Sequence, residues 1–268
     1  MPLAICATPI GNLDDVTLRV LHELEQADLV LCEDTRRTRT LLERHGIKAR
    51  TLSYHEHNEA ARVAELLPRL QDGERVALVS DAGMPAINDP GARIIRAALD
   101  AGVPVTVLPG PSAVETALVA SGLTGERYQF LGYLPRSEKA KEALWRELAQ
   151  WPYPAVAFES PKRLLATLAS LARFDSEREL AVCRELSKHF EEVVRGRAAE
   201  LAETFEQEPK GEITLVIGPA SRKSGETEEI AAAAVAELIE AGLPRRHAVE
   251  LVAKLAGVAR NRLYGRSL

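Results

Sequence analysis

The chain has 268 residues, of which 46% are hydrophobic and 27% charged, and a net charge of −5. It is long enough to bury one large core or two modest ones, and no run of about 18 apolar residues offers a membrane span. The charge balance excludes a protein coated in positive charge, but nucleic-acid binding depends on local patches and not on totals. Cys6, Cys32 and Cys183 are odd in number, far apart and form no CxxC. Their apolar contexts point to buried strand thiols in a reducing, cytoplasmic setting and not to a structural metal site. The opening MPLAICATPIGNL carries no basic leader, so no secretory signal is expected.

Residues 3–7 read as a buried strand ending in Thr8-Pro9-Ile10-Gly11-Asn12-Leu13. Asp14 or Asp15 is placed to cap a helix carrying Val16, Leu18, Val20, Leu21 and Leu24. Residues 27–32 form a second strand, and residues 38–45 a basic helix stopped by Gly46. A short strand at 51–54 precedes the polar turn His55-Glu56-His57-Asn58 and a helix to about residue 70. Val76, Ala77, Leu78 and Val79 are a continuous apolar run, as in a strand buried on both faces. It breaks into Ser80-Asp81-Ala82-Gly83-Met84-Pro85, where Gly83 can take dihedrals closed to other residues. The punctuation Asn88-Asp89-Pro90-Gly91 then leads into a helix at 92–101. A strand at 103–108 opens into Pro109-Gly110-Pro111-Ser112-Ala113 and a further helix.

Strands alternating with helices over about 120 residues predict a mostly parallel, doubly covered sheet. The rhythm changes after residue 122: the segment 128–135 departs from it, and strands at 155–158, 180–183, 192–195 and 212–217 include direct strand-to-strand joins, which predicts a mixed sheet. A polar linker at 221–227 and two helices, 228–241 and 245–255, lead to a turn at Gly257 and a last helix from Arg260. The expected organisation is an α/β domain at 1–122, a second α/β domain at 123–220, and a linker with a helical extension at 221–268.

Three loops at carboxyl ends of predicted strands, 8–12, 80–85 and 109–113, are rich in Gly, Pro and small residues. None is a GxGxxG or a GxxxxGK[ST], so a Rossmann dinucleotide site and a P-loop are both unsupported. Loops of this kind on one sheet edge suit a ribose and a purine recognised largely by main-chain groups.

The ordered set TPIGNL (8–13), CEDTR (32–36), VSDAGMPAINDPG (79–91), PGPSA (109–113), FESPKRL (158–164), CRELSK (183–188) and GEITLVIG (211–218) resembles the rRNA-methylating members of the tetrapyrrole methylase-like, class III S-adenosylmethionine methyltransferases. The resemblance spans about residues 3–220. It implies two α/β domains of the tetrapyrrole methylase type with S-adenosyl-L-methionine in the cleft between them, a homodimer, and no membrane association. The implied reaction is 2′-O-methylation of a decoding-centre cytidine of 16S rRNA in the small ribosomal subunit, without metal. The family's cofactor loops fall on Ser80, Asp81, Ala82, Gly83 and Ile87, and on Gly110, Ser112 and Ala113. Pro9 and Gly11 would line the cleft floor, Leu134 and Phe158 would close over the adenine, and Thr214 is a further cofactor contact. Met84 and Ser187 stand where related motifs often carry Thr.

Such a transfer needs alignment of an in-line displacement and a fate for the 2′-hydroxyl proton. Candidates are Glu33, Asp34, Asp81, Glu159, Glu185 and Lys188, with Glu159, Glu185 and Lys188 the main acceptor-site residues because they follow strands facing the cleft. Lys188 would have to be desolvated to act as a base. RNA phosphates would meet Arg36, Arg37 and Arg39 and the basic tail of Arg245, Arg246, Arg260 and Arg262, with Tyr54 and Tyr133 as stacking surfaces. Two alternatives stay open: a methyltransferase of the same fold acting on a tetrapyrrole or a protein-histidine derivative, and a non-catalytic RNA-binding assembly factor.

Overall fold

A computed structural model describes residues 2–220, 224–256, 260 and 263. Five strands, β1 (Leu3–Cys6), β2 (Leu29–Cys32), β3 (Thr51–Ser53), β4 (Val76–Val79) and β5 (Val105–Leu108), form an all-parallel sheet in the order β3-β2-β4-β1-β5. The inner strands β1, β2 and β4 are buried along their whole length, which is why they read as unbroken apolar runs. Alternate residues of β1 enter separate cores. Leu3 and Ile5 pack with Leu66, Leu70 and Ile94 from α3 (Glu59–Gln71) and α4 (Ala92–Asp100). Ala4 and Cys6 pack with Val20, Leu24, Leu41 and Leu42 from α1 (Leu18–Gln26) and α2 (Thr35–Arg44). The two-residue strand period thus distributes one short segment over both covering layers.

The second sheet is mixed, as the direct joins predict. β6 (Gln129–Tyr133), β7 (Ala155–Glu159), β8 (Glu179–Arg184), β9 (Glu192–Arg197) and β10 (Ile213–Ile217) take the order β6-β7-β10-β8-β9. β6 and β7 are parallel and the other pairs antiparallel. One face is covered by α6 (Glu138–Leu148), α7 (Pro161–Phe174) and α8 (Ala198–Thr204) around Trp145, Leu164, Leu168 and Leu201. The other face receives α5 (Ala113–Ser121), whose Val114, Ala117 and Leu118 pack on Val156, Ala181, Cys183 and Val216. α5 therefore follows a strand of the first sheet and buries its apolar side on the second.

Three local expectations change. Leu13–Asp15 forms a single 3-10 turn, and α1 begins only at Leu18, because the Thr17 hydroxyl accepts from the Val20 N–H at 3.2 Å and caps it there. α2 starts at Thr35 and not at residue 38, because the Asp34 carboxylate accepts from the Arg36 N–H at 2.9 Å. Tyr54 is 1% exposed in the first core and presents no stacking surface. α8 was not legible in the sequence, being seven residues long and poor in apolar periodicity.

Both sheets belong to one compact unit, Met1–Pro219, and Ala220–Leu268 form another. The 122/123 division falls inside the first, where the chain passes from α5 to β6. In the second unit α9 (Ser224–Glu240) and α10 (Arg245–Ala256) bury Ala231, Val235, Ala248, Val249 and Leu263. The helix reaches back to Ser224, so most of the expected polar linker is helical. The Gly257 turn, Arg262 and Arg266 lie outside the described residues. No helix among the described residues is long and apolar enough to cross a membrane.

Candidate active site

The loops after β1, β4 and β5 converge at the carboxyl edge of the first sheet, the usual ligand position in an open α/β sheet. Two of them are tied directly. Thr8 and Gly83 exchange backbone hydrogen bonds, with the Thr8 N–H donating to the Gly83 carbonyl at 2.8 Å and the reverse bond at 3.0 Å. The Thr8 hydroxyl also donates to the Ser80 carbonyl at 3.0 Å. Gly83 takes φ +79°, the left-handed conformation its sequence position predicts.

A cavity of about 520 Å³ lies between these loops and the second sheet, within the usual range for a small-molecule site. The first sheet contributes Asp81, Ala82, Gly83, Met84, Ile87, Asp89, Ser112 and Ala113. The second contributes Phe130, Tyr133, Phe158, Glu159, Glu212 and Thr214. Phe158 meets Phe130 and Tyr133 edge to face, at centroid separations of 5.0 and 5.6 Å. A neighbouring cavity of about 310 Å³ is lined by Thr8, Pro9, Gly11, Ser80 and Lys188. It shares Ile10, Arg37, Asp81, Ala82 and Glu212 with the first.

Of the sequence-predicted cofactor residues, Asp81, Ala82, Gly83, Ile87, Ser112, Ala113, Phe158 and Thr214 line the larger cavity, and Pro9 and Ser80 the smaller. Gly110 and Leu134 line neither. Gly110 backs onto Ala7, where an added Cβ would stand 2.9 Å from the Ala7 Cβ. Leu134 is sunk in the second core; its N–H donates to the Phe158 carbonyl at 3.2 Å and its carbonyl accepts from Arg163 at 2.7 Å. Gly11 is required by close approach: a Cβ there would stand 2.7 Å from Ser187 Oγ and 2.8 Å from the Leu186 carbonyl oxygen. The β1 loop thereby packs directly against the loop after β8.

The three acceptor-site candidates have different fates. Glu159 is 2% exposed at the cavity wall, but both of its oxygens are occupied. Oε1 accepts from the Ser160 N–H at 2.7 Å and from Arg163 Nε at 2.6 Å, and Oε2 accepts from the Thr167 hydroxyl at 2.7 Å. That makes it a clamp for the start of α7, and through Arg163 for Leu134, not a free proton acceptor. Glu185 lines neither cavity. Its Oε1 accepts from Lys188 Nζ at 2.8 Å and from the Glu212 N–H at 2.9 Å, and these bonds outweigh burial to hold its carboxyl below the usual range. Lys188 is held between Glu185 and Glu212, at 2.8 and 3.0 Å. Burial works to lower its pKa, but the two carboxylates outweigh it and the net shift is upward. An ammonium so held is a cationic contact and not a base.

Among the described residues lining the larger cavity Arg37 is the one cation, and it faces Asp81 at 3.5 Å. Against it stand Asp81, Asp89, Glu115, Glu159 and Glu212. Carboxylates, small residues and aromatic edges, with no cluster of cations to hold phosphates, suit a phosphate-free nucleoside carrying positive charge. S-adenosyl-L-methionine has that chemistry, so the residues present fit it. Sequence reasoning gave no role to Asp89, Glu115, Tyr128 or Glu212, although the Asn88-Asp89-Pro90-Gly91 punctuation marked the first of them.

The family model for tetrapyrrole (corrin/porphyrin) methylases matches residues 2–202. The ribosomal RNA small subunit methyltransferase I of Mesorhizobium japonicum is 42% identical, over 99% of this chain and 91% of its own. The protein of the same name from Thermotoga maritima is 44% identical, over 80% of this chain and 97% of its own. Among solved structures, uroporphyrin-III C-methyltransferase from Thermus thermophilus, complexed with S-adenyl homocysteine, shares the fold at a TM-score of 0.57 and 19% identity, over 82% of this chain and 98% of that one. The chain belongs to the tetrapyrrole (corrin/porphyrin) methylase family of S-adenosylmethionine-dependent methyltransferases, alongside these ribosomal RNA small subunit methyltransferase I relatives.

Proposed function

We propose that this enzyme methylates the ribose 2′-oxygen of a decoding-centre cytidine of 16S rRNA, acting as a homodimer on the small ribosomal subunit. The observation that carries the reading is the match to small-subunit rRNA methyltransferases at about 40% identity over nearly the whole chain. The position of α2 supports it. Arg37 lines both cavities, while Arg36 and Arg39 are exposed on the same helix, so a basic surface leads to the cleft mouth. In the second unit Arg246 and Arg260 are exposed, the latter paired with Glu250 at 3.1 Å, and Arg245 is half-buried. Phosphate contacts by such residues set register on RNA, while the base is read elsewhere.

S-adenosyl-L-methionine, when bound, supplies an activated methyl group. The chain's own residues have to hold it, align the acceptor and keep water out. Asp81, Ala82, Gly83, Ser112, Ala113 and Thr214 would hold the nucleoside, Phe158 and Tyr133 would cover it, and Lys188 would stand as a cation at the rim of the smaller cavity. Methyl transfer from labelled donor to 30S subunits from cells lacking the modification, followed by nuclease digestion and mass spectrometry, tests the reading. Label in 2′-O-methylcytidine is expected. Donor binding with no label in RNA would redirect the assignment to a tetrapyrrole or protein substrate, and no donor binding would refute the enzyme.

A further inference from the structure

We infer that Asp89 accepts the proton of the ribose hydroxyl during methyl transfer. The inference rests on the RNA ribose as acceptor, and its starting point is the state of the cavity's carboxylates. Asp81 accepts from the Asp34 N–H at 3.0 Å and faces Arg37. Glu115 accepts from the hydroxyls of Tyr128, at 2.5 Å, and Ser112. Glu159 is occupied as described above, and Glu212 holds Lys188. Asp89 lines the same cavity and enters no ion pair with a described residue; Glu115 enters none either, but two hydroxyls hold it.

The placement of Asp89 is built into the fold. Its loop contains Ala86 at φ +68° and Asn88 at φ +60°, conformations that cost non-glycine residues free energy and gather at functional sites. The Asn88 side chain lies against Gly132 of β6, so the loop reaches the second sheet. Glu33 beyond β2, Asp81 beyond β4 and Tyr133 on β6 are the titratable groups that act on Asp89 or feel it. Burial, then Glu33 and Asp81, push the Asp89 carboxyl up to about 6 against the Ser80 hydrogen bond. A carboxylate of that basicity is matched to work near neutral pH.

In the step assigned to it, the 2′-oxygen bonds to the methyl carbon while the carbon–sulfur bond breaks with its electron pair left on sulfur. The 2′-hydroxyl proton passes to the Asp89 carboxylate and from there to solvent. No further reactant is needed.

The test compares wild type, Asp89→Asn and Asp89→Glu in methyl transfer to unmodified 30S subunits across pH 5–9. Calorimetric binding of S-adenosylhomocysteine, a neutral thioether, is measured alongside. The expected result for D89N is a kcat lowered by about 10²-fold or more, with KM and the thioether affinity within about threefold of wild type. Wild-type activity should fall at acid pH with a midpoint at or below about 6, and that limb should vanish in D89N. D89E should recover part of the rate and the limb. A D89N kcat within about fivefold of wild type, a retained acid limb, or thioether affinity lost in step with rate would each overturn the inference. No transfer to RNA by wild type would overturn the rRNA reading and this inference with it. Transfer by wild type and D89N alike would overturn the inference alone.

Discussion

Glu159→Ala separates a supporting role from a chemical one at the cavity wall. The substitution removes a carboxylate that is 2% exposed and leaves the Thr167 hydroxyl, itself 3% exposed, without its acceptor. Arg163 loses its partner but keeps the Leu134 carbonyl, and at 27% side-chain exposure it keeps some contact with water. Removing one member of a buried pair costs about 3–5 kcal/mol, and the access of Arg163 to water puts this case near about 3. For a chain of this size that is a fall of about 6–12 °C in melting temperature. Arg163→Met is expected to cost more, because it strands a buried charge, whereas Glu159→Gln keeps one acceptor and should cost about 1–2 kcal/mol. Thermal unfolding of the three variants gives the ordering. Steady-state kinetics of Glu159→Gln gives the role: kcat within about tenfold of wild type with an unchanged pH profile marks a positioning residue. A loss below about 1 kcal/mol in Glu159→Ala, or abolished turnover in a stable Glu159→Gln, would refute the clamp.

Gly11→Ala drives a Cβ against the Leu186 carbonyl oxygen, which cannot swing away as the Ser187 and Lys188 side chains can; it should cost about 1–3 kcal/mol in urea unfolding and weaken S-adenosylhomocysteine binding. Burial pushes the Cys6 thiol up to about 12 and the Cys183 thiol up to about 11, and raises Cys32 as well; a thiol-specific disulfide reagent at pH 8 should titrate none of the three in the native protein and all of them after denaturation. Hydrogen bonds from Lys141, Ser170 and Arg173 hold the Glu138 carboxyl down at about 2. Its contribution to stability is therefore full above the unfolded-state carboxylate pKa and lost as pH falls toward 2, so Glu138→Gln should flatten acid unfolding between about pH 4.5 and 2. Arg37→Gln is expected to reduce the slope of log affinity for RNA against log salt by roughly 0.7–0.9; an unchanged slope would remove Arg37 from the phosphate contacts.

Much of the fold follows from local pattern. The runs of β1, β2 and β4 are buried on both faces, so their burial is written as continuous hydrophobicity, and the glycine- and proline-rich loops that end β1, β4 and β5 mark the ligand edge. The mixed character of the second sheet was legible at β8 and β9, which are joined without a helix between them and run antiparallel. The starts of α1 and α2 were not, since they lie where the Thr17 and Asp34 side chains cap them, and several residues nearby have side chains able to do the same.

What the sequence could not decide is which charges are spent. Glu159, Glu185, Lys188 and Asp89 are all polar residues beside strand ends or loops, and nothing in their spacing ranks them. Their roles depend on which neighbours the fold sets against them: Thr167 and Arg163 on the following helix for Glu159, the distant Glu212 for Glu185 and Lys188, and Asp81 with the distant Glu33 around Asp89. Proton affinity is set by burial and by the charges within a few ångströms. Those distances exist only once the strands of each sheet have paired and the loops at their ends have been brought together.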